Sequence, residues 1–226
     1  MQNIILLHGA LGSVSELAPL HQFLQQHFTV HSLNFPGHGG NTTDQPFSLA
    51  VLANHVLEFM DDKKISQAHL FGYSMGGFVS IYLAAHHPER ILTVTTLGTK
   101  FYWDEATARA AKPDPEMIEQ KIPAFAQKLA TIHHASNWKP LLEKTSAFLL
   151  MLGDENPLGD NRYTDLPVPC LFLIGDRDKV ASLDETISFY RRQPKAALAV
   201  IPFMGHALEK ADPRTLSDYI RSFAIQ

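Results

Sequence analysis

The sequence has little cysteine, little net charge and no long hydrophobic run. Its single cysteine, Cys170, stands in an apolar stretch and has no second cysteine to pair with, which fits a reducing compartment. The formal net charge of −4 predicts no basic surface for nucleic acid or anionic lipid. No apolar run approaches the roughly 18 residues of a membrane span, and the N-terminal stretch MQNIILLHG has no basic leader. We therefore expect a cytoplasmic protein that binds neither nucleic acid nor membrane.

Short apolar runs alternate with longer amphipathic stretches along the chain. The predicted strands are Asn3–Leu7, Thr29–Leu33, Ala68–Phe71, Ile91–Leu97, Pro169–Ile174 and Ala197–Ile201. The predicted helices between and after them are Val14–Gln26, Leu49–Lys63, Met75–His86, Leu183–Arg192 and Leu208–Phe223. Strands that are apolar on both faces are typical of parallel sheets covered on both sides. The alternation predicts an α/β fold, with a doubly wound, mostly parallel sheet of about six strands and helices on both faces.

One connection is much longer than the others. Residues 100–166 contain no predicted strand, but they contain helical patterns at Pro115–Ala130 and Lys139–Met151. Long excursions in compact domains are usually functional. We therefore expect a core formed by residues 1–99 and 167–226 and a helical lid formed by residues 100–166. The alternative is a helical insertion that packs on an edge of the sheet.

The stretch LFGYSMGGFVS, residues 70–80, lies between a predicted strand and a predicted helix. Its spacing Gly72-x-Ser74-x-Gly76 is typical of a nucleophile elbow, a strained strand-to-helix turn in which larger residues at the glycine positions would clash. Such a turn presents the serine hydroxyl at the carboxyl ends of the strands, where open parallel sheets bind ligands. By itself the motif fits an ordinary helix N-cap serine equally well. A nucleophilic serine also needs a base and an acid.

The base and the acid are expected at the ends of later strands, in the chain order serine, acid, histidine. In GDRDKV we choose Asp178, which lies beyond the turn and can point back toward the serine; Asp176 is the alternative, since one of the two fits ordinary turn chemistry. His206 follows the last predicted strand and is the expected base. The pairs His86–His87 and His133–His134 lack a metal-ligand pattern and are interpreted as surface or satisfied core residues. No metal site is predicted.

A serine nucleophile also needs donors for the oxyanion that forms when it attacks a carbonyl. The glycine-rich turn in ILLHGALGS follows the first predicted strand. We expect the backbone N–H groups of Ala10, in this turn, and Met75, after the serine, to form this oxyanion hole. The alternative is a plain strand-to-helix turn.

Together these motifs resemble the α/β-hydrolase fold family. The matching stretches LHGALGS, NFPGHGGN, GYSMGG, IGDRDKV and GHALEKADP extend over nearly the whole chain. They are most similar to small single-domain members, which include esterases, carbon–carbon bond hydrolases, cofactor-free perhydrolases and the menaquinone-pathway synthase. The resemblance places the chain's start at the family's third strand, which implies a six-stranded sheet. Asn34 and Ala181 stand where the family commonly has Asp and Pro. Phe78 stands where the menaquinone-type lyases often have Arg, which weakens the lyase alternative.

The sequence therefore predicts a serine hydrolase that cleaves carboxylic esters through an acyl-enzyme. Ser74 attacks, His206 transfers the proton and Asp178 orients the histidine. Two alternatives stay open: a triad-dependent lyase or carbon–carbon bond hydrolase, and a small-ligand sensor on the same fold. We expect a small-molecule ester or related acyl substrate, no cofactor, and a monomer or homodimer.

Aromatic residues near the serine and in the excursion predict an apolar substrate pocket. The expected substrate-binding residues are Tyr73, Phe101, Trp103, Trp138 and Phe148. The alternative is that the aromatic residues of the excursion form its own core. No basic cluster indicates a carboxylate or phosphate substrate.

Overall fold

A computed structural model describes residues 1–135 and 137–225, and this part of the chain forms one sheet of six parallel strands. The strands are β1 (Asn3–Leu7), β2 (Thr29–Leu33), β3 (Ala68–Tyr73), β4 (Ile91–Leu97), β5 (Cys170–Gly175) and β6 (Ala196–Ile201). Their spatial order is β2-β1-β3-β4-β5-β6, and every neighbouring pair is parallel. The predicted doubly wound α/β fold is confirmed.

Helices cover both faces of this sheet. They are α1 (Val14–Leu24), α2 (Leu49–Asp62), α3 (Met75–His86), α4 (Glu105–Ala111), α5 (Pro115–Lys121), α6 (Pro123–His133), α7 (Trp138–Glu155), α8 (Leu183–Tyr190) and α9 (Pro213–Ala224). Short 3₁₀ turns lie at Pro88–Arg90, Pro157–Gly159, Asn161–Tyr163 and Leu208–Lys210. Among the described residues, no helix has both the length and the apolar character needed to cross a membrane.

Alternation along the strands divides the core into two halves. Ile4 and Leu6 of β1 pack with helices α1 and α9, whereas Ile5 and Leu7 pack with α2 and α3 on the opposite face. Successive side chains of a strand point to opposite faces. Strand β1 is covered on both faces in this way, and it is correspondingly apolar from Ile4 to Leu7. Cys170 also lies in this core, where burial raises the pKa of its thiol to about 12.

The register brings the carboxyl ends of the central strands to one edge. Leu7 pairs with Gly72, and Tyr73 pairs with Leu97. The chain leaves β1 toward β2 and returns to form β3 on the other side of β1. Ligands bind at such a switch point in open α/β sheets. The loops after β1 and β3 therefore flank the expected position of a site.

Residues 98–169 join β4 to β5, contain helices α4 to α7, and are called the helical excursion below. The predicted helix Pro115–Ala130 is wrong as a single element, because Pro123 begins a new helix, α6, after Ile122. Helix α4 was not predicted, although the Asp104 side chain caps it in a reciprocal capping box with Thr107. The division into core and lid domains stays a prediction.

The predicted C-terminal helix is also wrong as a single element. The first part of Leu208–Phe223 is a 3₁₀ turn, and helix α9 begins only at Pro213. Proline is favoured in the first turn of a helix, where its missing N–H is not needed. Asp212 caps this helix by accepting hydrogen bonds from the backbone N–H groups of Arg214 and Thr215.

Candidate active site

Ser74 occupies a strained turn between β3 and α3. Its backbone torsions are φ 51° and ψ −112°, in a region that residues other than glycine rarely adopt. The Ser74 N–H donates to the Leu97 carbonyl at 2.9 Å. The Ser74 carbonyl accepts from the Gly77 N–H at 3.0 Å and from the Thr99 hydroxyl at 3.2 Å. These bonds hold the strained conformation on both sides of the residue.

The glycines around Ser74 allow strand and helix to approach closely. A Cβ on Gly72 would overlap the backbone of Gly76 and Gly77, and a Cβ on Gly76 would overlap the carbonyl of Leu7. Both contacts are with backbone, which cannot rotate away as a flexible side chain can. The sequence pattern therefore reflects packing of α3 against β1 and β3.

His206 lies beside Ser74 in the segment between β6 and the following 3₁₀ turn. Its Nε2 is 3.2 Å from Ser74 Oγ, and its Nδ1 is 2.8 Å from Asp178 Oδ2. A carboxylate accepts, so the Nδ1 atom carries the hydrogen and Nε2 can accept from the serine hydroxyl. The three side chains thus form a continuous hydrogen-bonded chain. Its catalytic role stays a prediction.

The Asp178 carboxylate is buried and held from two sides, with 1% of its side chain exposed. Oδ2 bonds to His206, and Oδ1 accepts from the backbone N–H groups of Val180 at 2.8 Å and Ala181 at 3.0 Å. A proline at position 181, as the sequence resemblance leads one to expect, would lack the second donor. Asp176 is exposed, and among the described residues its carboxylate has no hydrogen bond or ion pair.

Gly98 also belongs to the candidate site, although the sequence patterns did not identify it. It follows β4 with φ 59°, and a Cβ there would lie 3.1 Å from Asp178 Oδ2 and 3.3 Å from His206 Nδ1. Glycine leaves room for the carboxylate and imidazole above the sheet. Its position directly after a predicted strand, at the edge that carries Ser74, was the available signal.

Ala10 and Met75, whose amides are expected to bind an oxyanion, line the same cavity as Ser74. Met75 is the first residue of α3, where backbone N–H groups have no acceptor within the helix. Ala10 lies in a turn that is closed by a hydrogen bond from the Gly12 N–H to the Gly9 carbonyl at 3.1 Å. The next residue, Leu11, adopts φ 59°. The assignment of these amides to an oxyanion hole stays a prediction.

A buried histidine from the excursion fixes the loop that contains Ala10. His133 Nε2 lies 2.9 Å from the Leu11 carbonyl, and its Nδ1 accepts from the Gly39 N–H at 2.9 Å. The ring is therefore neutral, with the hydrogen on Nε2. Burial lowers its pKa. The interpretation of His133 as a satisfied core residue agrees with these contacts.

Two further imidazoles lie beside His133, in the core beneath the loop. The rings of His8 and His38 are 5.0 Å apart, and those of His38 and His133 are 5.8 Å apart. Burial lowers the pKa of His8 to about 4 and that of His38 well below its ordinary value. The His133 imidazole adds to the effect at both residues, and the His8 imidazole adds to it at His38. No group of three or more potential metal ligands is found within the described ranges.

An apolar cavity of about 230 Å³ opens onto Ser74 and His206. Three of the five predicted substrate-binding side chains line it: Tyr73, Trp103 and Phe148. The walls also include residues that the sequence patterns did not identify: Phe78, Lys100, Ala111, Leu149, Leu152 and Val180. The i, i+1 and i+4 spacing of Phe148, Leu149 and Leu152 on one helix was the available signal.

Phe101 and Trp138 do not line this cavity, so their assignment to it is corrected. Phe101 stacks on Phe189 of α8, with ring centroids 4.3 Å apart. Trp138 packs with Ile118 and Leu142 among the helices of the excursion. The alternative reading, in which aromatic residues form the core of the excursion, describes Trp138.

Comparison with known proteins agrees with this architecture. Residues 2–168 match the family described as alpha/beta hydrolase fold. A solved structure of 2-hydroxy-6-oxo-6-phenylhexa-2,4-dienoate hydrolase from a Rhodococcus species is similar, with a TM-score of 0.79 and 19% identity, covering 100% of this chain and 91% of that one. At this identity the likeness concerns the fold alone.

Two curated relatives are similar in sequence. The dihydrolipoyllysine-residue acetyltransferase component of the acetoin cleaving system from Pseudomonas putida is 24% identical over 97% of this chain and 62% of its own length. Pimeloyl-[acyl-carrier protein] methyl ester esterase from Citrobacter koseri is 32% identical over 43% of this chain and 36% of its own. The chain thus spans less than two thirds of the length of either relative. The family match covers most of the chain and agrees with the sheet order, and the protein belongs to the α/β-hydrolase fold family.

Proposed function

We propose that this protein is a serine hydrolase that cleaves carboxylic esters through an acyl-enzyme on Ser74. The observation that carries the proposal is the hydrogen-bonded chain from Ser74 Oγ through the His206 imidazole to the Asp178 carboxylate, with distances of 3.2 and 2.8 Å. This arrangement is the one that activates a weakly nucleophilic hydroxyl. The similarity to a curated methyl ester esterase supports the ester class.

In the first half-reaction, Ser74 Oγ forms a bond to the ester carbonyl carbon while its proton moves to His206 Nε2. The Asp178 carboxylate stabilises the resulting imidazolium. The negative charge on the former carbonyl oxygen is bound by the Ala10 and Met75 amides, and such donors each contribute on the order of 10²–10³ in rate. The carbon–oxygen bond to the alcohol then breaks, and His206 returns the proton to the departing alkoxide.

In the second half-reaction, water attacks the acyl-serine carbonyl and gives a proton to His206. The tetrahedral intermediate collapses, the bond to Ser74 Oγ breaks, and the serine takes the proton back. The apolar walls of the cavity, including Trp103 and Phe148, suit an uncharged acyl or aromatic group of modest size.

The test combines turnover with chemical labelling. Wild-type protein, Ser74→Ala and the control Ser217→Ala are assayed with p-nitrophenyl esters of increasing acyl length. Ser217 is a suitable control because it is a buried serine on α9, outside the cavity. We expect Ser74→Ala to lose several orders of magnitude in kcat with an unchanged unfolding temperature, and the control to retain wild-type kcat.

A fluorophosphonate probe should label the wild-type protein at Ser74, as mapped by peptide mass spectrometry. Absence of that label would contradict the nucleophile assignment and favour a ligand sensor. Labelling of Ser74 without turnover of any ester would instead overturn the ester class and favour a lyase or carbon–carbon bond hydrolase.

A further inference from the structure

The segment that contains His206 has little regular structure to hold it. Strand β6 ends at Ile201 and the 3₁₀ turn begins at Leu208. Between them the backbone is held by single bonds rather than a ladder: the Met204 carbonyl accepts from the Arg177 N–H at 2.9 Å, and the Ala207 carbonyl accepts from the Lys210 N–H at 3.0 Å. At Gly205, directly before the histidine, a Cβ would meet only one atom within 4 Å, the Arg177 carbonyl oxygen at 3.8 Å. The side chain of His206 is itself 21% exposed. The placement of its imidazole over Ser74 therefore depends on a few specific contacts.

Tyr73, the residue directly before Ser74, supplies one of these contacts. Its hydroxyl donates a hydrogen bond to the His206 backbone carbonyl at 3.0 Å. The two rings lie 5.4 Å apart, with an interplanar angle of 40°. Burial, reinforced by the nearby Glu16 carboxylate, raises the Tyr73 pKa. The phenol consequently keeps the proton that this bond requires.

Tyr73 can act as a rigid anchor because strand pairing, burial and the packing of a neighbouring loop all fix its position. It is the last residue of β3 and pairs with Leu97 of β4. Its side chain is buried, and a Cβ on Gly9 would lie 2.9 Å from its ring, so the loop after β1 packs closely against it. The next residue in the chain is Ser74. A displacement of the tyrosine would therefore also displace the nucleophile.

We propose that Tyr73 is a positioning residue, which holds the backbone of His206 through its hydroxyl and so sets the distance between the imidazole and Ser74 Oγ. This inference rests on the proposed function of the Ser74–His206–Asp178 site and adds a fourth side chain to it. The ring of Tyr73 still lines the cavity, so its hydroxyl and its ring have separable roles.

The test is Tyr73→Phe, which removes the hydroxyl and keeps the ring. Tyr163→Phe is the matched control, because Tyr163 is also a buried tyrosine whose hydroxyl bonds a histidine, His86 Nε2 at 3.1 Å, away from the cavity. A single lost hydrogen bond of ordinary strength predicts about a tenfold fall in kcat for Tyr73→Phe. KM should stay within about twofold, because wall contacts with substrate are retained. The control should retain the wild-type kcat and KM.

Two further readouts separate positioning from general destabilisation. The fluorophosphonate labelling rate of Ser74, measured well below the unfolding temperature of each variant, should fall in parallel with kcat for Tyr73→Phe alone. The low-field imidazole N–H proton resonance of His206, assigned by its loss in His206→Gln, should shift or broaden in Tyr73→Phe and stay unchanged in Tyr163→Phe.

Wild-type kcat and labelling in Tyr73→Phe would overturn the positioning role, as would equal losses in both tyrosine variants. A raised KM with unchanged kcat would mean that Tyr73 acts only as a wall of the substrate cavity. If the wild-type protein turns over no ester and Ser74 is not labelled, the proposed function fails instead. The His206 resonance then still decides whether the Tyr73 hydroxyl holds the histidine.

Discussion

The carboxyl edge of the sheet and the helical excursion contribute to the same cavity, but by different means. At the sheet edge, strand register places Ser74 and Gly98 next to each other, and short loops add Asp178 and His206. In the excursion, helix packing decides which side chains face the cavity. Trp103 and Phe148 reach it, while Trp138 on the same helix as Phe148 does not. Strand pairing and short loops thus set the positions of the polar side chains of the candidate site. Side-chain packing between helices sets the shape of the cavity.

The largest contrast is expected within the sheet edge itself. Asp178→Asn should lower kcat by about 10³–10⁴-fold, because an amide in place of the carboxylate favours the wrong imidazole tautomer. Asp176→Asn, two residues away and exposed, should stay within about twofold of wild type. Steady-state kinetics on a p-nitrophenyl ester measures both. Equal losses in the two variants would contradict the assignment of Asp178.

Stability should show how tightly the sheet edge is built. Gly76→Ala places a methyl group against the backbone carbonyl of Leu7, and we expect the free energy of unfolding to fall by about 3 kcal/mol, because overpacking against backbone is hard to relieve. Gly205→Ala is the control, because a Cβ there makes only an ordinary contact, at 3.8 Å with the Arg177 carbonyl oxygen, and the backbone has no positive φ. Urea unfolding of the two variants measures the difference. A tolerated Gly76→Ala would mean that α3 can move away from β1.

Acid should weaken the junction between the two regions, where the His133 ring lies beside that of His38, which in turn lies beside that of His8. In the unfolded chain His8 titrates near 6.5, whereas burial lowers its pKa to about 4 in the folded protein. Stability from this group is complete above pH 6.5 and is lost as pH falls from 6.5 toward 4, because only the unfolded chain binds the proton in that window. At pH 5 the loss from His8 is about 2 kcal/mol.

Urea unfolding at pH 7.5 and pH 5 measures this loss. The comparison stays above the ordinary pKa values of carboxyl groups. Burial raises the pKa of the Glu16 carboxyl, which therefore opposes the loss from the histidines and does not cause it. A free energy of unfolding that does not change between the two pH values would contradict the buried, neutral state of these imidazoles.

The smallest expected effect tests the two tryptophans of the excursion. Trp103 and Trp138 are similarly buried, at 8% and 6% exposed, and each has a lysine ammonium over its ring. Trp103→Phe enlarges the cavity and should raise relative kcat/KM for longer acyl esters by about fivefold. Trp138→Phe should lower the unfolding temperature slightly and leave the chain-length profile unchanged. An ester panel and thermal unfolding check both; a shifted profile for Trp138→Phe would contradict its assignment to the excursion's core.

The sequence predictions were also more accurate for the sheet and its carboxyl edge than for the helical excursion. Every predicted strand lies within two residues of its observed bounds, because strands buried on both faces are mostly apolar and end at polar or glycine-rich turns. The residues of the Ser74, Asp178 and His206 cluster were identified from their order at strand ends. Parallel strands bring those ends together whatever lies between them in the chain.

Predictions were weaker in the excursion, because its helix bounds depend on prolines and on neighbours. Pro123 divides one predicted helix into two. Trp138 and Phe148 share α7, but ten residues separate them by about 15 Å along its axis. Only the packing of α7 against the neighbouring helices determines which part of α7 faces the cavity. The sequence pattern shows both residues as equally apolar.

The amino-acid sequence by itself determined the α/β architecture, the strained turn at Ser74 and the set of polar side chains at one edge of the sheet. Periodicity, glycine spacing and chain order can all be read directly from the sequence, and they are sufficient to predict these features. The tertiary structure alone decided which aromatic rings line the cavity, and that the Tyr73 hydroxyl reaches the His206 backbone. Each of these depends on contacts between residues far apart in the chain, whose distances are fixed only when both faces of the sheet are packed.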